Sequence, residues 1–156
     1  LEQLSDDVHT LAYRLHPSLL EHAGLRPAVE EHVHQVSRRT GLPIHLKILD
    51  VPDAVPLDQA TCLFRVMQES VQNVVKHAQA TTVTVQLRGS SKGVGLSVID
   101  NGRGFDSQDL RTHQQGLGLS SMEERLRQLH GFFRIQSRSS HGTKVCAWVP
   151  CKVEVS

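Results

Sequence analysis

A long apolar stripe between residues 57 and 78 most constrains how this chain can fold. Its apolar residues recur every three or four positions, which predicts a helix with one face in a protein core. They are Ala60, Leu63, Phe64, Met67, Val71 and Val74. A helix with one apolar face needs a second layer to cover that face.

The other segments predict a sheet that supplies this second layer. Apolar and polar residues alternate at 44–48, 83–87, 94–100, 132–137 and 144–149, as they do in half-buried strands, and hairpin turns join two pairs of these segments. Further helices are predicted at 27–40, with Pro27 as the first residue, and from Leu119 to about residue 129. The order βαββαββ predicts an α+β fold, a two-layer sandwich with helices on one face of a mixed sheet.

The first residues carry a separate helical pattern. Leu1, Leu4, Val8, Leu11 and Leu15 are spaced alternately by three and four residues, which predicts a helix packed on another helix. The pattern is already under way at Leu1, so we expect the end of a longer helix. Pro17 and Gly24 are expected to break it.

Composition excludes several classes of function. A formal net charge of +1 and an aromatic content of 4% argue against a nucleic-acid binder. No apolar run is long enough for a membrane span, and the first residues do not resemble a signal peptide. Three irregularly spaced cysteines predict free thiols and a cytoplasmic location. The ten histidines show no zinc-ligand spacing.

Three polar residues on the long helix form a stripe opposite its apolar face. At 100° per residue, Glu69, Asn73 and Lys76 fall within a narrow arc. This pattern is typical of a solvated helix face. It also suits a metal-bound phosphate, since carboxylate and amide oxygens bind Mg²⁺ and lysine attracts phosphate.

Three glycine-containing segments complete the candidate chemistry. Asp100-Asn101-Gly102-Arg103-Gly104-Phe105 follows a strand and indicates either a tight turn or a close backbone approach to a ligand. Residues 116–119, Gly-Leu-Gly-Leu, open a helix whose free N–H groups could face an anion. Gly142-Thr143 precedes the last strand and is uninformative by itself.

Taken in this order, these segments resemble the ATP-binding catalytic domain of sensor histidine kinases. That domain belongs to the superfamily of DNA gyrase, heat-shock chaperones and the MutL repair protein. Residues 68–78 resemble the family's N box and are similar to the nitrate-sensor-like subfamily, while residues 100–105 and 116–119 resemble its two glycine boxes. The resemblance covers nearly the whole chain. It implies a truncated dimerisation hairpin at 1–20 and the catalytic domain at 25–151.

The resemblance also implies a role for each matching residue. Asp100, assisted by Thr143, would accept a hydrogen bond from the adenine amino group of ATP, and Asn73 would ligate Mg²⁺. Lys76 or His77 would lie near the phosphates, and Glu69 would act as the catalytic base toward a histidine. The residues expected to close on the nucleotide are Gly102, Gly104, Gly116, Leu117, Gly118 and Leu119, and residues 106–115 would form a lid.

One departure from the family concerns the phosphoacceptor. No histidine lies in a stretch resembling Arg-Glu-Leu-His-Asp, and His9 is followed by Thr10. We therefore expect a kinase fragment that binds ATP but does not phosphorylate itself. The expected partners of the full-length kinase, whose parent chain could be membrane-anchored, are a response regulator and a second copy, with no nucleic-acid or membrane contact by this segment. Two alternatives stay open, an anti-sigma-factor-type serine kinase and a non-catalytic ATP-dependent scaffold.

Overall fold

Helices and strands alternate through the part of the chain that the computed structural model describes, residues 17–106 and 119–151. The helices are α1 (Pro17–Ala23), α2 (Leu25–Thr40), α3 (Leu57–Asn73) and α4 (Leu119–Gln128), and a π-helical turn (Val74–Ala78) continues α3. The strands are β1 (Ile44–Leu49), β2 (Val83–Gly89), β3 (Gly93–Asp100), β4 (Phe132–Ser137) and β5 (Thr143–Pro150). The predicted order βαββαββ is confirmed.

The strands form one five-stranded mixed sheet in the order β1-β2-β3-β5-β4. β1 and β2 are parallel and the other neighbours are antiparallel. Alternate residues of the three central strands are buried against the helices: Val83, Val85, Leu87, Val94, Leu96, Val98, Val145, Ala147 and Val149. Because successive side chains of a strand point to opposite faces, the described helices cover one face of the sheet and leave the other open. The two-layer α+β fold is therefore confirmed.

The apolar stripe of α3 lies at the centre of the core. Leu63, Met67 and Val71 have no exposed surface, and α3 contacts both β3 and β5. The buried stripe continues through Val74 and Ala78 into the π-helical turn. The helix predicted from this stripe is confirmed, and its polar stripe is held at a fixed orientation above the sheet.

The predicted break at Gly24 is confirmed, and the predicted start of the second helix at Pro27 needs correction. Pro17 begins helix α1, and α2 begins at Leu25 rather than at Pro27. The N–H groups of the first helical turn have no acceptor within the helix, so a proline there removes no helical hydrogen bond. Gly24 alone separates the two helices, with φ of 90°.

The angular position expected for Lys76 also needs correction. Lys76 and His77 lie in the π-helical turn, where the chain winds through more residues per turn than the 3.6 of an α-helix. The expectation of 100° per residue therefore holds only as far as Asn73. Short π-helical turns of this kind are frequent at functional sites.

The predicted boundary between the dimerisation hairpin and the catalytic domain stays a prediction. The apolar pattern of residues 1–15, with His9 and His16, lies outside the described residues. Helix α1 crosses the predicted boundary, and its Leu20 is buried in the same hydrophobic core as α2 and α3. Gly41 ends α2 in the left-handed conformation, as expected for a glycine that follows a helix.

Candidate functional site

The polar stripe of α3 and its π-helical turn forms one side of the candidate site. Glu69, Asn73 and His77 are half-buried, and Lys76 is exposed. Hydrogen bonds join other polar residues of the described chain, but none joins these four side chains to another described residue. Among the described residues, no hydrogen-bond partner therefore occupies the oxygen and nitrogen atoms of these four side chains.

The electrostatic setting of Glu69 suits a proton acceptor. Burial raises the pKa of the Glu69 carboxyl, and the positive charges of Lys76 and Arg65 offset part of this rise. Lys76 thus lies close enough to Glu69 to act on its charge, as the stripe predicted. A carboxylate with a raised pKa is a stronger base than an ordinary surface glutamate.

Asp100, at the end of β3, forms the other side of the site. Its side chain is buried, with 6% of its surface exposed, and its Oδ1 accepts a hydrogen bond of 2.8 Å from the Gly102 N–H. Burial raises the pKa of this carboxyl, while the backbone N–H groups of Gly102 and Thr143 lower it. The turn therefore places the buried Asp100 carboxyl next to Gly102 and Thr143, two residues of the predicted nucleotide site.

Residues 101–103 tie this turn to the end of the π-helical turn. The Asn101 Oδ1 accepts hydrogen bonds from the N–H groups of Thr81 (2.9 Å) and Thr82 (3.0 Å). The Arg103 N–H donates to the Ala78 carbonyl oxygen at 2.8 Å. A Cβ atom on Gly102 would lie 2.2 Å from that oxygen, so only glycine fits. The turn after β3 therefore lies directly against the helix that carries the polar stripe.

The hairpin between β4 and β5 holds the turn from its other side. Gly142 has φ of +79°, and a Cβ atom there would lie 2.0 Å from the Asp100 carbonyl oxygen. Gly104 has φ of +64°, and a Cβ atom there would lie 2.1 Å from the Arg138 carbonyl oxygen. The Ser140 N–H donates to the Arg103 carbonyl oxygen at 2.6 Å. Glycine is required at these positions because protein backbone packs against protein backbone; a nucleotide contact at Gly102 and Gly104 stays a prediction.

A pair of hydroxyl groups lies beside Asp100. The Ser137 hydroxyl accepts a hydrogen bond from the Phe105 N–H at 2.7 Å and lies 2.8 Å from the Thr143 hydroxyl and 3.2 Å from the Gly142 carbonyl oxygen. One arrangement satisfies all three contacts: Ser137 donates to the carbonyl, and Thr143 donates to Ser137. In this arrangement the Thr143 oxygen accepts no hydrogen bond from another described side chain.

A cleft of about 210 Å³ reaches Asp100 and Thr143 from the end of the hairpin. It is also lined by Ile99, Gln136 and Lys144, whose strand positions point to the open face of the sheet. The stripe residues of α3 do not line it. This cleft therefore approaches the buried acceptor from the edge of the sheet.

Part of the predicted site lies outside the described residues. Gly116, Leu117 and Gly118 belong to that part, as does the predicted lid after Asp106. Leu119 is the first residue of α4, so the helix predicted to follow the second glycine box is present. The contribution of these residues to a nucleotide site stays a prediction.

Sequence reasoning missed the residues that fix the turn in place. Asn101 and Ser137 make three hydrogen-bonding contacts each, and neither was singled out from the sequence. The sequence analysis noted Gly142 but assigned it no role. A glycine in the hairpin turn 138–142 was visible in the sequence, but its contact with Asp100 arises only from the pairing of β3 with β5.

Cys62, also on α3, has the character expected of an inert thiol. Burial raises the pKa of its thiol, so less of the reactive thiolate is present at neutral pH.

Comparisons with known proteins agree with this geometry. Residues 58–153 match the family described as histidine kinase-, DNA gyrase B-, and HSP90-like ATPase. The chain is 33% identical over 145 residues to the sensor histidine kinase MctS of Rhizobium johnstonii, 34% over 146 residues to the sensor histidine kinase ComP of Bacillus subtilis, and 35% over 126 residues to the nitrate/nitrite sensor protein NarX of Escherichia coli. These matches cover 92%, 92% and 81% of this chain but 31%, 19% and 21% of those proteins.

A solved structure shares the fold. The blue-light activated histidine kinase EL346 of Erythrobacter litoralis matches 96% of this chain and 51% of its own, with a TM-score of 0.72 and 20% sequence identity. None of the described helices combines the length and the apolar character needed to cross a membrane. The family match spans more than half of the chain and includes Glu69, Asn73, Asp100 and Thr143. The chain belongs to the family of histidine kinase-, DNA gyrase B-, and HSP90-like ATPases, as an ATP-binding domain of the sensor histidine kinase type.

Proposed function

We propose that this chain transfers the γ-phosphoryl group of Mg²⁺-ATP to a histidine of its parent kinase, for relay to a response regulator. The observation that carries the proposal is the buried carboxylate of Asp100, fixed beside the Thr143 hydroxyl at the end of the helix that carries Glu69 and Asn73. The parent kinase is proposed to act as a cytoplasmic homodimer.

Asp100 supplies selectivity for adenine. Its Oδ1 is occupied by the Gly102 N–H, and the remaining acceptor capacity of the carboxylate, with the Thr143 oxygen, suits an exocyclic amino group. Guanine presents a carbonyl oxygen where adenine presents this amino group. A buried acceptor would then face another acceptor, which disfavours GTP.

Asn73 and the residues after it suit the phosphates. The half-buried amide oxygen of Asn73, which has no hydrogen-bond partner among the described residues, fits a hard divalent cation, and Lys76 and His77 follow in the π-helical turn. The Mg²⁺ would neutralise phosphate charge when bound. Lys76 would attract the γ-phosphate, since a lysine ammonium acts on phosphate as a point charge.

Glu69 would activate the attacking histidine. Its raised pKa allows it to accept a hydrogen bond from one imidazole nitrogen while the other nitrogen attacks the phosphorus. None of the described histidines is proposed as the acceptor. The curated relatives named above are all sensors, which favours this reading over the serine kinase and the scaffold.

Calorimetric titration with ATP, with and without Mg²⁺, tests the nucleotide site. We expect Mg²⁺-linked binding that prefers ATP to GTP by at least about tenfold, since the site would leave an acceptor unpaired with GTP. Asn73→Ala should remove the dependence on Mg²⁺ and keep selectivity for adenine. Asp100→Asn should weaken ATP binding. Its matched control is Asp53→Asn, which changes an exposed carboxylate of the loop before α3 in the same way. Equal binding of GTP would contradict the role of Asp100.

A second experiment separates the three activities. The chain is mixed with radiolabelled ATP and the histidine-bearing helical segment of a sensor kinase. Transfer to histidine gives a product that acid hydrolyses, whereas phosphoserine survives acid. An acid-stable product would favour the serine kinase, and ATP binding without transfer would favour the scaffold.

A further inference from the structure

The face of the sheet that no described helix covers, called here the open face, has a side-chain pattern of its own. The strand register aligns its side chains in three rows, each crossing all five strands. The rows are His45-Thr84-Ile99-Lys144-Gln136, Lys47-Gln86-Ser97-Cys146-Arg134 and Leu49-Arg88-Gly95-Trp148-Phe132. At the usual spacing of strands this open face is about 19 Å wide.

The open face carries charge of one sign only. Lys47, Arg88, Arg134 and Lys144 are all exposed, and none of the fifteen positions in the three rows is acidic. The chain as a whole has 17 basic and 16 acidic residues, so this segregation is a local property. The salt bridges found among the described residues lie on α2 and α4 rather than on this face. The face therefore presents basic side chains that form no salt bridge with another described residue.

Exposed apolar groups lie among these charges. Phe132, Leu49 and Ile99 expose 55%, 46% and 38% of their surface. Phe132 stacks on Trp148 with ring centroids 5.9 Å apart. A Cβ atom on Gly93 would lie 2.5 Å from the Trp148 ring, so the glycine lets the indole lie flat against the sheet. Exposed apolar side chains interspersed with charged ones are common on surfaces that bind another protein.

Charge selects the partner. A second copy packed through the same face would bring basic side chains against basic side chains, which disfavours a symmetric pair. Single-stranded nucleic acid binds along a series of free aromatic faces, whereas Phe132 and Trp148 stack on each other at one end of the row. A partner with alternating carboxylates and apolar side chains would match both the charges and the exposed hydrophobic groups.

We propose that the open face of the sheet binds an acidic amphipathic helix of a partner protein. Its apolar residues would cover Phe132, Trp148 and Ile99, and its carboxylates would meet Lys47, Arg88 and Arg134. A helix of about 13 residues spans the five strands, because each residue advances a helix by 1.5 Å. The helix would complete a third layer on a sheet that has helices on one face only. This inference does not depend on the nucleotide-binding proposal.

Trp148 is the single tryptophan of the chain and reports occupancy of this face directly. The probe is a synthetic peptide of glutamate and leucine at helical spacing, about 14 residues long. We expect saturable changes in Trp148 emission that weaken with salt, because the attraction is between exposed charges. The double variant Lys47→Glu/Arg134→Glu should weaken binding by at least about tenfold. Arg38→Glu/Lys92→Glu reverses two exposed charges elsewhere and should change it less than about twofold.

Four results would overturn the proposal. The first two are no change in Trp148 emission with the acidic peptide, and an equal change when lysine replaces the glutamates of the peptide. The third is equal weakening of peptide binding by the two double variants. The fourth is a larger change in emission with oligothymidine or with phosphatidylserine vesicles than with the acidic peptide. ATP titration of the same variants reports separately on the nucleotide site. Retained ATP binding with lost peptide binding would support the proposal, and circular dichroism checks that each variant is folded.

Discussion

The two sides of the candidate site are built in opposite ways. The turn at residues 100–105 is fixed by hydrogen bonds and by close contacts between backbones, on one side to the end of α3 and on the other to the hairpin. The side chains of Glu69, Asn73 and Lys76 have no hydrogen-bond partner among the described residues. Contacts within the described fold thus fix one side, whereas the polar side chains of the other side are proposed to be completed by a ligand. Substitutions in the turn should therefore cost stability, and substitutions in the stripe should cost activity.

Gly142→Ala tests the fixed side and has the largest expected effect. The new Cβ atom would meet the Asp100 carbonyl oxygen at 2.0 Å, at a φ of +79°. We expect a loss of about 3 kcal/mol or more in the free energy of unfolding, measured with urea. Gly41→Ala is the matched control, because Gly41 has φ of +73° with nothing within 4 Å of its Cβ position. It should cost about 1 kcal/mol. Equal losses would show that backbone conformation, rather than the contact with Asp100, explains the requirement for glycine.

Glu69→Gln tests the open side. The substitution removes the charge that burial disfavours, so the free energy of unfolding should not fall. Phosphoryl transfer should fall by about 10² to 10⁴, the usual contribution of a general base. The measurement is the initial rate of transfer at saturating ATP, beside urea unfolding of the same variant. A variant that loses stability and keeps its rate would reverse the roles of the two sides.

Asn101→Ala examines a hydrogen-bonding contribution to the fixed side. It removes the contacts with the Thr81 and Thr82 N–H groups and with the Thr81 hydroxyl. We expect a loss of about 2 kcal/mol in stability, at a net contribution of about 1 kcal/mol or less for each bond. Asn101→Asp keeps the acceptor and loses the donor, so it should cost less. If both variants unfolded like the parent, the turn would not depend on this tie.

The smallest expected effect is a dependence of stability on pH that arises from Asp100. Because burial raises its pKa in the folded protein, the folded state holds the proton more tightly than the unfolded state. As pH rises from the ordinary value of 3.8 through the raised pKa, this residue lowers the free energy of unfolding. Asp100→Asn should remove that decline and weaken ATP binding. The difference in urea stability between parent and variant, followed across this interval, measures it; a constant difference would contradict the direction.

The sequence predicted the layers of the fold more fully than the details of the site. The stripe from Ala60 to Val74 is periodic, and alternation in the strands is local, so neither needs long-range information. The contact between Gly142 and the Asp100 carbonyl joins residues far apart in sequence, and only the pairing of β3 with β5 brings them together. The π-helical turn was missed because an apolar stripe continues through Val74 and Ala78 whether the turn is α or π.

The two faces of the sheet also differ in how far the sequence predicts them. The helix-covered face was readable from Val83, Val85 and Leu87, since apolar residues at every second position indicate burial. The basic character of the open face is invisible along any one strand. It emerges only when the register aligns Lys47 with Arg134 in one row across five strands.

The π-helical turn at Val74–Ala78 makes the helix adjustable by one residue. Deleting a single residue there would return the helix to α geometry and rotate Lys76 and His77 relative to Glu69, while the residues before Val74 keep their places in the core. One insertion or deletion at this turn can therefore change where Lys76 and His77 lie relative to Glu69 and Asn73, the residues proposed to act on ATP. Because Val74 and Ala78 of the same turn are buried, such a change must also keep apolar side chains facing the core.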